Sequence, residues 1–125
     1  MNLEHRTLNL EPRTSNLEHR TLNLEQITCP FIPSGYKSVW AQYSLLASNE
    51  PHRTGLMARL NKEGIPTAIY YPKPLHLQTA FAYLGYKKGD FPVSEDCASR
   101  IFSIPMHPYL NEEIQERIVQ VMINH

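Results

Sequence analysis

The stretch that decides the fold is GIPTAIYYPKPLHLQTAFAYLGYKKGDFPVSEDCASRIFSIPMHP, residues 64–108. Short apolar runs alternate in it with Pro and Gly, which interrupt regular secondary structure. Residues 65–71 are apolar and β-prone. They predict a strand that ends at Pro72 and Pro74, because proline has no N–H for a central sheet. The stretch therefore predicts short strands and helices in alternation.

Two helices are predicted after this strand. The first has apolar residues at i, i+3, i+4 and i+7, the spacing of an amphipathic helix, and Gly85 ends it. Its apolar residues are Leu77, Ala80, Phe81 and Leu84. The second begins near Pro92 and leads into a brief extended segment at residues 103–104. Its apolar positions are Val93, Cys97 and Ile101.

Elements on both sides of this stretch complete the unit. Residues 39–46, VWAQYSLL, predict a further strand. Asn49 is a suitable N-cap for the helix that follows, and Gly64 lies where a left-handed residue ends a helix. A last helix follows Asn111, with acidic residues in its first turn. The apolar sides of these two helices are predicted to be Leu56, Met57 and Leu60, and Ile114, Ile118, Val121 and Met122.

Together these elements predict an α/β fold of the α+β two-layer kind, with a short sheet of two or three strands covered by three to four helices. The sequence has neither GxGxxG nor GxxxxGK[ST], so the usual phosphate-binding loops are not expected. We assign residues 29–125 to this single domain.

Residues 2–25 are an almost perfect seven-residue repeat, NLEHRTL, NLEPRTS, NLEHRTL, NLE. Its leucines do not follow the three- and four-residue intervals of a coiled-coil seam. Pro12 and the recurring Thr and Asn disfavour a helix. Such regularity is typical of a translated tandem DNA repeat rather than of a packed element. We expect residues 1–28 to be a low-complexity extension, disordered or loosely helical, outside the fold.

Charge and composition narrow the class of protein. Twelve basic and twelve acidic residues give zero formal charge, which argues against nucleic acid and anionic membranes as partners. No apolar run approaches the roughly 18 residues that suggest a membrane span. Cys29 and Cys97 lack CxxC spacing and the sequence shows no apolar leader, so we expect a cytoplasmic protein.

Four segments carry a family resemblance through their order and spacing. They are SVWAQYSLL at 38–46, GIPTAIYYPKPLH at 64–76, LGYKKGDFPVSE at 84–95 and SIPMHPYL at 103–110. The chain resembles the small C-terminal domain of the DegT/DnrJ/EryC1/StrS family of sugar aminotransferases. The resemblance implies the fold type I of aspartate aminotransferase, pyridoxal phosphate (PLP) as cofactor, and a homodimer. It also implies amino transfer from an amino acid such as glutamate to a nucleotide-linked keto sugar, for surface polysaccharide synthesis.

The resemblance also implies that part of the chemistry lies elsewhere. PLP-dependent transamination needs a lysine for the internal aldimine, an acidic partner for the pyridine nitrogen and donors for the phosphate. The family carries these groups in its large domain. No lysine of this chain stands in the family's lysine context; the five are Lys37, Lys62, Lys73, Lys87 and Lys88. We therefore predict no catalytic and no cofactor-binding residue here, and we expect the chain alone not to bind PLP.

Three residues of segment 70–76, YYPKPLH, are candidates for binding substrate. Its two prolines hold it rigid after the strand, so its polar side chains can face a cleft at little entropic cost. The resemblance implies substrate contact by His76 first, then by Tyr71 and Lys73. Alternatively, His76 hydrogen-bonds to backbone and starts the next helix, while Tyr70 and Tyr71 divide between core and surface.

Other kinds of site are disfavoured. The histidines His52, His76 and His107 are too far apart for a local metal motif, and no CxxC or HExxH occurs, so no metal site is predicted. A GxSxG nucleophile motif is missing as well. Structural roles are expected for Trp40 in the core, Cys97 as a buried small hydrophobe, and Met106, His107 and Pro108 as a packed turn.

Two functions of different classes remain open. The chain is either a fragment of a PLP-dependent nucleotide-sugar aminotransferase, inactive alone, or a non-catalytic binding module that associates with a complete aminotransferase subunit. The missing aldimine lysine favours the second for activity. The four family segments favour the first for ancestry.

Overall fold

The computed structural model describes residues 26–123. Three strands and three α-helices occur in this part of the chain, together with two short 3₁₀ segments. In chain order they are β1 (Ile27–Thr28), β2 (Tyr43–Ala47), α1 (Glu50–Lys62), the 3₁₀ segments Leu75–Leu77 and Thr79–Leu84, α2 (Pro92–Arg100), β3 (Ile101–Ile104) and α3 (Glu112–Ile123). Within residues 26–123, every helix is too short or too polar to cross a bilayer.

The strands form one antiparallel sheet in the order β1-β2-β3. In the central pairing Leu45 lies opposite Phe102, and at the edge Ile27 lies opposite Ala47. Directly paired residues in an antiparallel sheet point to the same face. All four of these side chains are buried, so one face of the sheet is the core face.

Helices α1 and α3 contribute the other half of the core. Phe102, Leu56 and Leu60 are the largest side chains that are completely shielded from solvent. The remaining members of the core cluster come from β1, β2, α3 and two loops: Ile27, Tyr43, Leu45, Ala47, Ile65, Leu110, Ile118, Val119, Met122 and Ile123. A small sheet packed against helices confirms the predicted α+β two-layer arrangement.

Helix α1 forms where the sequence predicts it. The Oδ1 of Asn49 accepts a hydrogen bond from the backbone N–H of His52 (2.8 Å), and Pro51 occupies the first turn, where its missing N–H costs nothing. Gly64 follows the helix with φ +74°, a left-handed conformation that favours glycine. The predicted start and end signals are both confirmed.

The strand predicted at residues 65–71 is wrong. The segment forms only an isolated antiparallel bridge, in which Ala68 and Ser103 exchange two backbone hydrogen bonds. On one side, the next such pair in this register would join Pro66 to Pro105, and neither proline has an N–H. On the other side, the N–H of Ile101 is already bonded to the carbonyl of Cys97 at the end of α2. The ladder therefore cannot extend in either direction.

The amphipathic α-helix predicted around residues 77–84 is also wrong. The segment forms two 3₁₀ turns, because Gln78 between them is extended (φ −75°, ψ 142°). None of the apolar residues predicted to form the buried side of this helix is buried. The predicted stop is confirmed, since Gly85 is left-handed with φ +75°.

Two predicted boundaries shift. Residues 39–46 were expected as a strand, but β2 starts only at Tyr43, because Trp40 has φ +49° and breaks the extended run. The fold was expected to begin after residue 28, yet Ile27 and Thr28 form β1 and the Ile27 side chain is 8% exposed. The seven-residue repeat lies outside the described residues, and its expected disorder stays a prediction.

The helices α2 and α3 form as expected, but their buried sides are rotated from the prediction. In α2 the buried residue is Ala98, whereas Val93 is 77% exposed. In α3 Ile114 is exposed, and Val119 and Ile123 take part in the core together with the predicted Ile118 and Met122. Helix α3 starts after Asn111 as predicted, and the Oδ1 of Asn111 accepts a hydrogen bond from the N–H of Ile114 (2.9 Å).

The N-terminal boundary can be tested by two matched deletions. We expect removal of residues 1–25 to leave the melting temperature unchanged, because all described strands of the sheet are retained. Removal of residues 1–28 also deletes β1 and the buried Ile27 side chain. This should cost about 2 kcal/mol, or roughly 10 °C in melting temperature. Calorimetry on both proteins checks this, and equal melting temperatures would show that β1 contributes nothing.

Candidate functional site

A cleft of about 270 Å³ lies between the segment of residues 70–78 and helix α2. We call these two sides the loop wall and the helix wall. The cleft is lined by Tyr70, Tyr71, Lys73, Pro74, Leu75 and Gln78 from the loop wall, by Ser94, Cys97 and Ala98 from the helix wall, and by Ile101. Aromatic, aliphatic and hydroxyl groups thus surround a single ammonium group.

The loop wall is held in shape by its own sequence. Pro72 and Pro74 fix their backbone φ angles. The side-chain amide of Gln78 donates to the carbonyl of Lys73 (3.0 Å), and the N–H of Leu77 donates to the carbonyl of Pro74 (3.0 Å). These bonds close the segment into a turn, so that Tyr71 and Lys73 are presented together at the cleft.

The helix wall is fixed to the rest of the fold by two arginines. Arg53 of α1 is buried and donates from Nη1 to the carbonyl of Ala98 (2.8 Å). Arg100 donates from Nη1 to the carbonyl of Ala47 in β2 (2.9 Å), and its guanidinium also pairs with Asp96. Hydrogen bonds from a charged donor are stronger than neutral ones. Helix α2 is therefore anchored to both α1 and the sheet.

The structure places two of the three predicted site residues in the cleft. Tyr71 is 70% exposed, and Lys73 is exposed as well. Across the described residues, no ion pair engages the ammonium of Lys73, so its charge is available to an anion. Tyr70 is also exposed and not part of the core.

His76 lies behind the cleft and is not one of its lining residues. Its side chain is 7% exposed, and its Nε2 lies 2.9 Å from Oε1 of Glu95 on α2. The imidazole also packs on the ring of Phe91, with 4.8 Å between centroids. The alternative of a backbone partner does not describe this geometry, because the partner is a carboxylate. His76 does lie in a 3₁₀ turn, as that alternative implied.

Glu95 is the residue that sequence reasoning missed. Its Oε1 accepts from His76 and also from the backbone N–H of Gly89 (2.7 Å). In the sequence, Glu95 is an acidic residue in the first turn of a predicted helix, and the favourable interaction of a carboxylate with the helix dipole is sufficient to explain its presence there. Its contact with His76 is visible only in the structure, because the two residues are nineteen positions apart in sequence.

These contacts favour the ionised form of Glu95. The Gly89 N–H and the contact with His76 lower the pKa of its carboxyl below the ordinary 4.5, and partial burial opposes them. A carboxyl whose pKa is lowered by folding stabilises the fold above its unfolded pKa. That contribution is lost as the pH falls through the folded-state value, below 4.5.

The remaining candidates have structural settings. Cys97 was expected to be buried, but it is only half-buried and lines the cleft. Burial raises the pKa of the Cys29 thiol.

Trp40 is half-buried and packs at the edge of the core, with 4.8 Å between its ring centroid and that of Tyr43. Residues 107–110 form a turn, closed by a backbone hydrogen bond. Within residues 26–123, no three His, Cys, Asp or Glu side chains gather as metal ligands would.

The lining of the cleft does not match the needs of PLP. It offers one lysine, but among the described residues no carboxylate lines the cleft to hold a protonated pyridine nitrogen. No reaction step through the cofactor is therefore assigned to these residues. What the cleft can do is bind a group that combines negative charge with hydroxyls or a flat ring.

Curated proteins with similar sequences are aminotransferases and related proteins. The chain is 44% identical over 94 residues to the pleiotropic regulatory protein of Geobacillus stearothermophilus, covering 75% of this chain and 24% of that protein. It is 41% identical over 85 residues to the UDP-2-acetamido-2-deoxy-3-oxo-D-glucuronate aminotransferase of Pseudomonas aeruginosa, covering 68% and 22%. The chain spans about a quarter of the length of these relatives.

Solved structures show the same fold. A DegT DnrJ EryC1 StrS aminotransferase from Brucella abortus superposes with a TM-score of 0.69 at 48% identity, over 82% of this chain and 27% of that one. DesV of S. venezuelae, solved in complex with a ketimine intermediate, gives 0.70 at 25% identity, over 82% and 29%. The fold is thus a portion of the fold of these aminotransferases.

The family model described as the DegT/DnrJ/EryC1/StrS aminotransferase family matches residues 1–123. Sequence relatives, solved structures and the family model therefore agree with the four ordered segments of the sequence. The chain belongs to the DegT/DnrJ/EryC1/StrS aminotransferase family.

Proposed function

We propose that this chain forms one wall of the substrate site of a PLP-dependent nucleotide-sugar aminotransferase and does not catalyse the reaction by itself. The reaction moves an amino group from an amino acid such as glutamate to a keto sugar for surface polysaccharide synthesis. The observation that carries the proposal is the cleft that presents Tyr71 beside Lys73, whose ammonium has no ion pair among residues 26–123. The resemblance implies that the catalytic lysine lies in the large domain of the family, and this chain spans only about a quarter of its relatives' length.

The chemistry of the cleft suits a nucleotide sugar. A lysine ammonium binds the diphosphate as a point charge, and a tyrosine ring can pack on a sugar or a base while its hydroxyl makes hydrogen bonds. The Pseudomonas aeruginosa relative is named for a UDP-linked keto sugar acid. The Micromonospora megalomicea relative, 36% identical over 95 residues, is named for a dTDP-linked amino sugar. We infer the same substrate class for the cleft.

Within this role, Tyr71 and Lys73 contact the ligand directly. The substrate contact predicted for His76 remains a prediction, and its buried ring and its bond to Glu95 favour an effect through the loop wall. The two thiols, Cys29 and Cys97, are free, which fits the reducing cytoplasm as the place of action.

A second candidate function is a non-catalytic module that associates with a complete aminotransferase subunit or with another copy of this chain. The observation that favours it is the exposure of apolar side chains at the cleft, Tyr71 and Leu75, and of Val93 on α2, each at least 66% exposed. Contiguous exposed apolar groups are typical of surfaces that bind another protein. The two functions are compatible, because a substrate site at a subunit interface needs such a surface.

The substrate class can be tested with UDP-N-acetylglucosamine as the probe. Calorimetric or NMR titration should show binding, and Lys73→Met should weaken it about tenfold, because a charge-assisted contact with the diphosphate is lost. Lys88→Met is the matched control, since Lys88 is exposed on the loop after the 3₁₀ segments and does not line the cleft. Equal affinity for the two variants and the unchanged chain would contradict the proposed contact.

The proposal that catalysis requires a large domain can be tested by measuring whether this chain alone retains PLP. After addition of PLP and desalting, we expect no stoichiometric absorbance of an internal aldimine to remain, because no carboxylate of residues 26–123 lines the cleft together with Lys73. Surface imines should be removed by a competing amine. A stoichiometric band that survives this treatment would refute the proposal that catalysis requires another domain.

A further inference from the structure

We propose that Glu95 is a positioning residue for the cleft: by holding His76 it fastens the loop wall to the helix wall and so sets the distance between Tyr71 and α2. The inference rests on the proposed function for what the cleft binds. The fastening itself is a property of the chain and is tested without any ligand.

The hydrogen bond between His76 and Glu95 links the loop wall to the helix wall, and we call it the tie. Glu95 follows the lining residue Ser94 on the helix wall. His76 lies between the lining residues Leu75 and Gln78 on the loop wall. The hydrogen bond of 2.9 Å between Nε2 of His76 and Oε1 of Glu95 therefore joins the walls directly.

No other polar contact duplicates this tie. Within the described part of the chain, it is the one hydrogen bond or ion pair that joins residues 70–78 to α2. The helix wall is anchored separately by Arg53 and Arg100, whereas the nearest backbone pairing upstream of the loop wall is the bridge between Ala68 and Ser103. Without Glu95 the loop wall loses its polar link to the rigid side of the cleft.

The surroundings make the tie strong. The side chains of His76 and Glu95 are 7% and 16% exposed. The ring of Phe91 packs on His76, with 4.8 Å between centroids, and the ring of Tyr86 packs on Phe91, with 5.0 Å between centroids. The Gly89 N–H holds the same carboxylate oxygen from the other side (2.7 Å). A hydrogen bond to an ionised acceptor is stronger where water is largely kept out. The carboxylate thus fixes both the imidazole and the loop at Gly89.

The reactivity of Cys97 can report on opening of the cleft, because Cys97 lines the helix wall. Cys29 packs against the core and serves as the internal reference. We would measure alkylation of both thiols by iodoacetamide in the full chain, separated by peptide mass spectrometry. In Glu95→Gln, we expect Cys97 to react about tenfold faster, as the loss of a charge-assisted hydrogen bond allows the loop wall to open. The rate of Cys29 should not change, which distinguishes opening of the cleft from general loosening.

Asp96→Asn is the matched control. It removes the same charge one residue closer to Cys97, and Asp96 pairs with Arg100 on the exposed side of α2 and does not line the cleft. Any purely electrostatic effect on the thiol should therefore be at least as large in this variant. Equal Cys97 rates in Glu95→Gln, Asp96→Asn and the unchanged chain would overturn the proposal.

A second variant covers the case in which Glu95→Gln does not fold. His76→Phe keeps a ring against Phe91 but removes the donor, and it should raise the Cys97 rate by a similar factor. The double variant should react no faster than either single one, because both remove one bond. If both single variants lose cooperative unfolding, the pair is a requirement of the fold and the positioning role is refuted.

The two proposals fail in distinguishable ways. A chain that does not bind UDP-N-acetylglucosamine but opens in Glu95→Gln refutes the proposed substrate class and keeps the tie. A chain that binds the probe equally well in Glu95→Gln, with an unchanged Cys97 rate, keeps the substrate class and refutes the positioning role.

Discussion

The pairing of β2 with β3 is the contact on which the rest of this structure depends. It brings Leu45 against Phe102 across more than fifty residues of sequence and closes the core under α1 and α3. Both walls of the cleft are attached to β3. Helix α2 runs directly into it at Ile101, and the loop wall follows the bridge from Ala68 to Ser103. A side chain such as Phe102, with no exposed surface, is therefore as important to the cleft as the residues that line it.

The distribution of charge around the cleft follows from how the acidic residues are used. The Oε1 of Glu95 accepts hydrogen bonds from His76 and from the N–H of Gly89. Asp96 is paired with Arg100. Among the described residues that line the cleft, Lys73 is then the charged one. A cation without a neighbouring carboxylate attracts an anion more strongly than one that is already paired. This arrangement connects the packing of α2 to the chemistry proposed for the ligand.

Several elements were predictable because their causes are local. Asn49, Pro51 and Gly64 specify helix α1 through their own hydrogen-bonding and backbone preferences, and Gly85 ends the 3₁₀ region in the same way. The strand expected at residues 65–71 failed for a non-local reason. Its pairing depends on Pro105 and on the N–H of Ile101, which lie more than thirty residues away in sequence. Periodicity could not show that both potential extensions of the ladder are blocked.

By itself the sequence determined the family, through four ordered segments, and it placed Tyr71 and Lys73 next to Pro72 and Pro74, whose rings stiffen that segment. Turns and caps follow from neighbouring residues, so the sequence is sufficient for them. Only the tertiary structure decided that His76 is buried against Glu95 and that the cleft has α2 as its second wall. A hydrogen bond between residues on separate elements depends on how those elements pack, and no local pattern encodes that distance.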